Sequence, residues 1–417
     1  MTPVAPTPWY RAATAAQWKT LLAAQLGWML DAMDVMLYAF ALGTIQKEFN
    51  LSGAGAGALA SVTLVTSAAG GIFFGWLADR IGRTRALIYS ILVYSVCTAL
   101  TATSRGIAEL VLWRSLVGIG LGGEWSAGSV LVSETWPAAH RGKAIGLMQS
   151  GWAVGYIAAA LLAAAILPVW GWRVLFAVGV LPALLTLWIR RHVPEPEVWR
   201  AAAPAGARDP RLGGALGEMF RPPLRRPTLV AVLMTTCVLF AYWGLFTWLP
   251  AFLAAPMEKG GAGLGIVKSS GWIVPMQIGA FFGYTLFGFL ADRIGRRPVF
   301  VGFLVAAAAL VPVYGQLARH ELALLALGPF IGFFGHGYFS VFGAMLAELF
   351  PTRIRGTAQG MVYNAGRAVS ALAPFTIGAL ADAHGIGGAL ALTAAFFLAG
   401  AALMALLPET RGRELAE

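Results

Sequence analysis

The chain has 417 residues, 58% of them hydrophobic and only 12% charged, with a mean hydropathy of +0.72 and a formal net charge of +11. Soluble domains are about a quarter charged, so this composition excludes an ordinary water-soluble globule and points to a polytopic membrane protein. The positive balance does not imply nucleic-acid binding. The basic residues sit in loops between apolar runs, with no interleaved stacking aromatics.

In chain order, about twelve spans are predicted: Trp18–Ile45, Ala54–Ala78, Ala86–Thr103, Ile107–Ser133, Ala144–Leu167, Trp172–Ile189, Thr228–Leu253, Ser270–Leu290, Val299–Leu317, Leu322–Leu349, Thr357–Leu380 and Gly387–Leu407. They must be helices, because the backbone has to satisfy itself in lipid and nothing alternates at period two. The start lacks a basic region leading into a short apolar core, so no cleavable signal is expected. Cys97 and Cys237 each lie inside an apolar run and read as buried small hydrophobes, with no disulfide or metal site.

Arginine and lysine concentrate in alternate connections: Arg80, Arg83 and Arg85; Arg141 and Lys143; Arg190 to Arg226; Arg293, Arg296 and Arg297; Arg353 and Arg355. By the positive-inside rule these loops and both termini are cytoplasmic. The expected division is a cytoplasmic segment at 1–17, six helices in 18–190, a cytoplasmic linker at 191–227, six helices in 228–407 and a tail at 408–417. The linker reads as solvated, with helix-forming character at Leu216–Phe220.

The two halves repeat one another. GWLADRIGRTRAL at Gly75–Leu87 returns as GFLADRIGRRPVF at Gly288–Phe300, an offset of 288 − 75 = 213. ETWPAAHRGKAIG at Glu134–Gly146 returns as ELFPTRIRGTAQG at Glu348–Gly360, an offset of 348 − 134 = 214. Agreement of two independent motifs implies a duplicated six-helix unit.

With Arg114, Gly118, Gly120 and Gly122 in the fourth span, and PEPEVW at Pro194–Trp199 and PETRG at Pro408–Gly412, these motifs resemble the major facilitator superfamily over nearly the whole chain. The resemblance implies an all-α membrane protein of two pseudo-symmetric six-helix bundles, a transporter rather than an enzyme, with no cofactor or metal, working as a monomer. LDAMDVMLYAF at Leu30–Phe40, GLGGEW at Gly120–Trp125 and YNAGR at Tyr363–Arg367 resemble proton-coupled carboxylate symporters. The sialate/lactate branch is nearest, beside metabolite and aromatic-acid symporters. A bacterial inner membrane is the implied location. The fifth span has no Gly-Pro step of the exporter type.

Ionisable residues within spans are costly and call for a reason. Asp31 and Asp34 share one face of the first span; Arg114 and Glu124 lie in the fourth, His336 in the tenth and Arg367 in the eleventh. At about 1.5 Å per residue, Asp31, Glu124, Arg367 and His336 fall in one layer roughly 15–21 Å deep, and Arg114 lies at roughly 30 Å. Arg367 is the expected anchor for a substrate carboxylate, since its planar fork cannot deprotonate; the alternative is permanent pairing with an acid. Its counterpart in the first half is Ala153, so the duplicated scaffold does not require it. Asp31, Asp34 and Glu124 are candidate proton carriers. Arg114 is expected to pair with Asp34, and the resemblance adds a proton-relay role. His336 reads either as a relay or as a packing histidine. Gln149, Tyr363, Asn364 and Tyr38 are candidate substrate contacts, and Trp28, Trp125, Trp152 and Tyr338 either shape the pocket or fill the core. Asp79, Arg83, Asp292, Arg296, Glu134, Arg141, Glu348 and Arg355 are expected to form a gate between the halves.

The expected activity is uptake of a small organic anion with protons by alternating access, most readily a monocarboxylate such as lactate. An aromatic acid, or a neutral solute such as a sugar, is the alternative; the intramembrane Arg367 counts against the neutral one. No P-loop, zinc spacing or G-x-S-x-G nucleophile motif is present.

Overall fold

The computed structural model describes residues 9–50, 53–201, 212–254 and 256–413. Among these there is no β-strand; the chain is a bundle of long helices. The first half holds Ala15–Glu48, Gly53–Ile81, Arg83–Thr101, Ile107–Thr135, Arg141–Ala177 and Pro182–His192. The second holds Arg225–Ala254, Gly265–Arg293, Arg296–Gln316, the pair Glu321–Gly337 and Phe339–Leu349, the pair Arg355–Ser370 and Ala373–Leu390, and Leu392–Ala405. The first helix starts at a capping box: Gln17 N–H donates to the Thr14 hydroxyl at 3.2 Å, and Thr14 N–H donates back to Gln17 Oε1 at 2.8 Å.

Helix ends differ from the expected spans where glycine breaks the chain. The fifth span and the start of the sixth run together as Arg141–Ala177, with a turn at Gly171 (φ 72°, ψ −178°). Ala373–Leu390 likewise joins the end of the eleventh span to the start of the twelfth, turning at Gly385 (φ 71°, ψ 157°). The two turns are 385 − 171 = 214 residues apart, the offset of the repeat. In the linker, Leu212–Met219 is a helix whose Ala215 and Met219 are buried; residues 202–211 lie outside the described part.

Ten helical segments among the described residues are long and apolar enough to cross a membrane. The two expected spans that fall short are the fourth and the eleventh. The eleventh is broken into Arg355–Ser370, of 16 residues, and Ala373–Leu390, and both spans bury polar side chains against protein. Ile107–Thr135 buries Arg114, Glu124 and Glu134, and Arg355–Ser370 buries Arg355, Gln359, Asn364 and Arg367. On the outside, residues such as Phe73, Leu161, Leu184, Phe282 and Leu322 are exposed, an apolar surface suited to lipid.

The halves meet chiefly where the second span packs on the eleventh and the fifth on the eighth. Glycine permits both approaches. A Cβ at Gly75 would sit 2.4 Å from the Gly356 carbonyl oxygen, and one at Gly288 would sit 2.3 Å from that of Gly142.

Candidate functional site

At the arginine-rich end of the bundle the two halves are joined by mirrored polar clusters. Asp79 accepts from the Gly356 and Thr357 N–H groups at 2.9 and 2.7 Å, and from the Thr357 hydroxyl at 2.7 Å. It therefore caps the start of a helix in the opposite half, where free N–H groups favour negative charge. Arg83 pairs with Asp79 at 2.8 Å and with Glu134 at 2.9 Å, and Arg355 reaches Glu134 at 2.7 Å. The other side repeats this. Asp292 accepts from the Gly142 and Lys143 N–H groups at 3.1 and 2.9 Å and pairs with Arg296. Glu348 joins Arg141 at 2.8 Å and Arg296 at 3.2 Å. All eight residues read from the sequence as a gate thus lie in two cross-half clusters.

The tails of the halves hold a second mirrored pair that sequence reading did not single out. Glu195 of PEPEVW accepts from the Thr84 and Arg85 N–H groups, both at 3.1 Å. Glu409 of PETRG accepts from those of Arg296 and Arg297 at 2.9 and 3.0 Å. Their separation, 409 − 195 = 214, signals the correspondence within the repeat.

Deeper in the bundle, between the halves, lies a narrow cleft that is nearly closed in this conformation, with a cavity volume of only about 10 Å³. Arg367, Gln149 and a wall of rings line it: Trp28, Trp152, Tyr242, Trp243, Tyr284, Phe339 and Tyr363. Arg367 is 5% exposed. It donates to the Ser67 hydroxyl at 3.3 Å, lies 5.5 Å from the Tyr363 ring centre and leaves its Nε without a partner among the described residues. No carboxylate comes within ion-pair distance of it there. The indole N–H groups of Trp28 and Trp243 are also buried, with no partner among the described residues. Tyr363 is held flat against Trp125, with ring centres 3.8 Å apart. Gln149 accepts from the Trp125 indole at 3.2 Å and donates to the Phe339 carbonyl at 3.3 Å. The cleft therefore offers donors and a cation in an aromatic setting, which suits a planar anion.

The other candidates divide into three places. Asp34, Arg114 and Tyr38 form one cluster: Arg114 pairs with Asp34 at 3.4 Å, Thr98 donates to Asp34 at 2.6 Å, and the guanidinium lies 4.6 Å from the Tyr38 ring centre. Tyr38 thus faces Arg114 and does not line the cleft. His336 sits among the rings of Tyr242, Phe246 and Tyr284, with Nδ1 at 3.1 Å from the Gly332 carbonyl, also off the lining. Asn364 donates to the Gly360 carbonyl at 3.0 Å and presses on Gly71 of the second span. Asp31 and Glu124 are fully buried, with no hydrogen-bond partner among the described residues for any of their carboxyl oxygens. Asp31 lies within electrostatic range of Arg367, and Glu124 within that of Asp31.

A duplicated helical bundle with a buried cleft between its halves defines a membrane transporter. Residues 26–274 and 264–416 match the Major Facilitator Superfamily, and the chain belongs to it. It is 35% identical to the cis,cis-muconate transport protein of Acinetobacter baylyi, with 92% of each chain covered. It is 30% identical to the sialic acid transporter of Escherichia coli, over 94% of this chain and 93% of that one. Its fold matches a solved proton:xylose symporter of the superfamily with a TM-score of 0.78 at 20% identity, over 96% of this chain and 98% of that one. The chain is therefore a transporter and not an enzyme, and the last likeness speaks to the fold alone.

Proposed function

We propose that this transporter carries a small planar organic anion, a conjugated or aromatic carboxylate, together with protons. The supporting observation is Arg367, a buried guanidinium without a carboxylate partner among the described residues, set in a cleft walled by aromatic rings. A substrate carboxylate supplies the missing acceptor, and stacking on the rings supplies the remaining affinity. A monocarboxylate such as lactate makes the first contact and leaves the rings unused. The muconate relative handles an anion of the chemistry proposed here.

In this reading Arg367, Tyr363 and Gln149 touch the substrate, and Asp31, Asp34, Glu124 and Arg114 handle protons. Residues 18–190 and 228–407 are the bundles that rock about the cleft, with the linker and both termini cytoplasmic in a bacterial inner membrane. The protein works as a monomer. The mirrored clusters around Asp79 and Asp292 hold the cytoplasmic side closed and separate when it opens.

Thermal unfolding of the purified protein with benzoate, cis,cis-muconate, lactate and xylose tests the assignment. A ligand present at 100 times its Kd stabilises by about 2.7 kcal/mol. The planar carboxylates are expected to raise the melting temperature of the wild type, lactate less and xylose not at all. Arg367→Ala is expected to abolish the shifts. Stabilisation by xylose, or equal carboxylate shifts in Arg367→Ala, contradicts the reading.

A further inference from the structure

The first and fourth spans fit together around a side chain that is missing. A Cβ built at Gly27 would lie 2.4 Å from Glu124 Oε1, so the Glu124 carboxyl fills the notch that this glycine leaves. Gly27 and Asp31 are four residues apart on one helix. The notch is therefore about one turn, roughly 6 Å along the axis, from Asp31 on the same face. Both acids are fully buried, and all four of their oxygens lack a hydrogen-bond partner among the described residues.

The neighbouring ionisable groups are accounted for. Arg367 of the eleventh span lies within electrostatic range of Asp31, as does Asp34 about one turn along the first span. Asp34 is itself held by Arg114 and Thr98. Tyr94 of the third span, also buried, lies within electrostatic range of Glu124, Asp31 and Asp34. No cation pairs directly with Asp31 or Glu124 among the described residues.

We propose that Asp31 and Glu124 carry the transported proton as one coupled pair, and that Gly27 is the positioning residue that makes the pair. The inference rests on the proton-coupled reading above. Two carboxylates a turn apart in a dry interior, without a cation between them, cannot both stay charged. Arg367 favours charge on Asp31 until a substrate carboxylate neutralises it. The pair then takes up one proton supplied by the solvent, forming one O–H bond. That bond breaks, and the proton leaves, when the substrate departs on the other side. The substrate and the proton thus reinforce each other's binding.

The first test needs no substrate. The infrared band of protonated carboxyls is followed through a pH titration of the purified, ligand-free protein. A band present at neutral pH and lost in Glu124→Gln or Asp31→Asn is expected. Asp31→Asn is expected to move the midpoint of the remaining Glu124 by about one pH unit or more. Gly27→Ala displaces only the end of a flexible side chain, so the variant is expected to fold and to move the same midpoint. Gly27→Ala with Glu124→Asp, one methylene shorter, is expected to move it back. A Glu124 midpoint indifferent to both Asp31→Asn and Gly27→Ala overturns the pair.

The second test measures proton uptake with a pH indicator when cis,cis-muconate binds. Loss of uptake with binding retained in Glu124→Gln supports the pair, and unchanged uptake overturns it. Failure of cis,cis-muconate and benzoate to bind the wild type strikes the carboxylate reading instead, and the infrared result then decides the pair separately.

Discussion

Two arginines lie deep in this bundle, and their surroundings assign them different work. Arg114 has an acid at 3.4 Å and an aromatic ring centre at 4.6 Å, so its charge is answered by the protein. Arg367 has a hydroxyl at 3.3 Å and a cleft, with Asp31 within electrostatic range but not in an ion pair among the described residues. Removing Arg114 leaves Asp34 buried without its cation, so that the acid must take up a proton or stay charged, at a cost of up to about 3–5 kcal/mol. Arg114→Ala is therefore expected to lower the melting temperature sharply in a detergent unfolding experiment. Arg367→Ala is expected to change it little without ligand. Equal losses in the two variants would show that Arg367 also answers a structural charge.

The arginines and the acids beside them were legible in the sequence because charge in an apolar run is conspicuous. The cleft's lining was legible only in part: Gln149 and Tyr363 were candidate contacts, and Trp28 and Trp152 candidate walls. Tyr242, Trp243 and Tyr284 look in sequence like any aromatic residue that fills a helix interface, and only packing sends them to the same cavity. Depth counted along the helices placed His336 level with Arg367, but depth does not report which way a side chain points. The ring of His336 turns into an aromatic box beside the break at Tyr338. Gly27 was hidden by abundance: it is one glycine among 51.

At the level of elements, the repeat predicts structure that span boundaries alone miss. Gly171 and Gly385 both turn the chain with φ near 70° and ψ near 180°, a region reserved in practice for glycine. Alanine at either position is expected to cost about 1–3 kcal/mol, measured by unfolding, although a Cβ at Gly171 meets nothing within 4 Å. The penalty comes from the backbone, so it would be absent if these turns relaxed freely.

The tail acid Glu409 gives a pH prediction. Burial pushes its carboxyl up, but the N–H groups of Arg296, Arg411, Arg297 and Thr410 outweigh burial and hold it below its ordinary 4.5. A carboxyl held low stabilises the folded state at neutral pH, and that contribution is lost only as pH falls through the lowered value. Glu409→Gln is expected to melt below the wild type at pH 7, with the gap closing in strong acid. A gap that persists unchanged in acid would mean that charge plays no part in the cap. The family resemblance of PEPEVW and PETRG made these tails visible in the sequence, but their task required the helix starts they close.

For the whole molecule, the mirrored clusters make the halves' contact symmetric: Asp79 caps a helix of the second half, and Asp292 caps one of the first. Neutralising both, in Asp79→Asn with Asp292→Asn, removes the charge from both caps at once. Hydrogen exchange at the Gly356, Thr357, Gly142 and Lys143 amides is expected to accelerate, and the double variant is expected to exceed either single one. Unchanged exchange would show that the halves are held elsewhere. The duplication and these charges were readable early because they recur. The substrate layer, where the halves differ, gave fewer signals.

The central claim is that a planar carboxylate crosses with protons while bound to Arg367. Uptake of labelled cis,cis-muconate and benzoate into proteoliposomes under an imposed inward proton gradient tests it most directly. The account predicts that the wild type accumulates at least one of them above equilibrium, that collapse of the gradient abolishes accumulation, and that Arg367→Ala does not accumulate either. Accumulation that survives both the collapse and the substitution would contradict it.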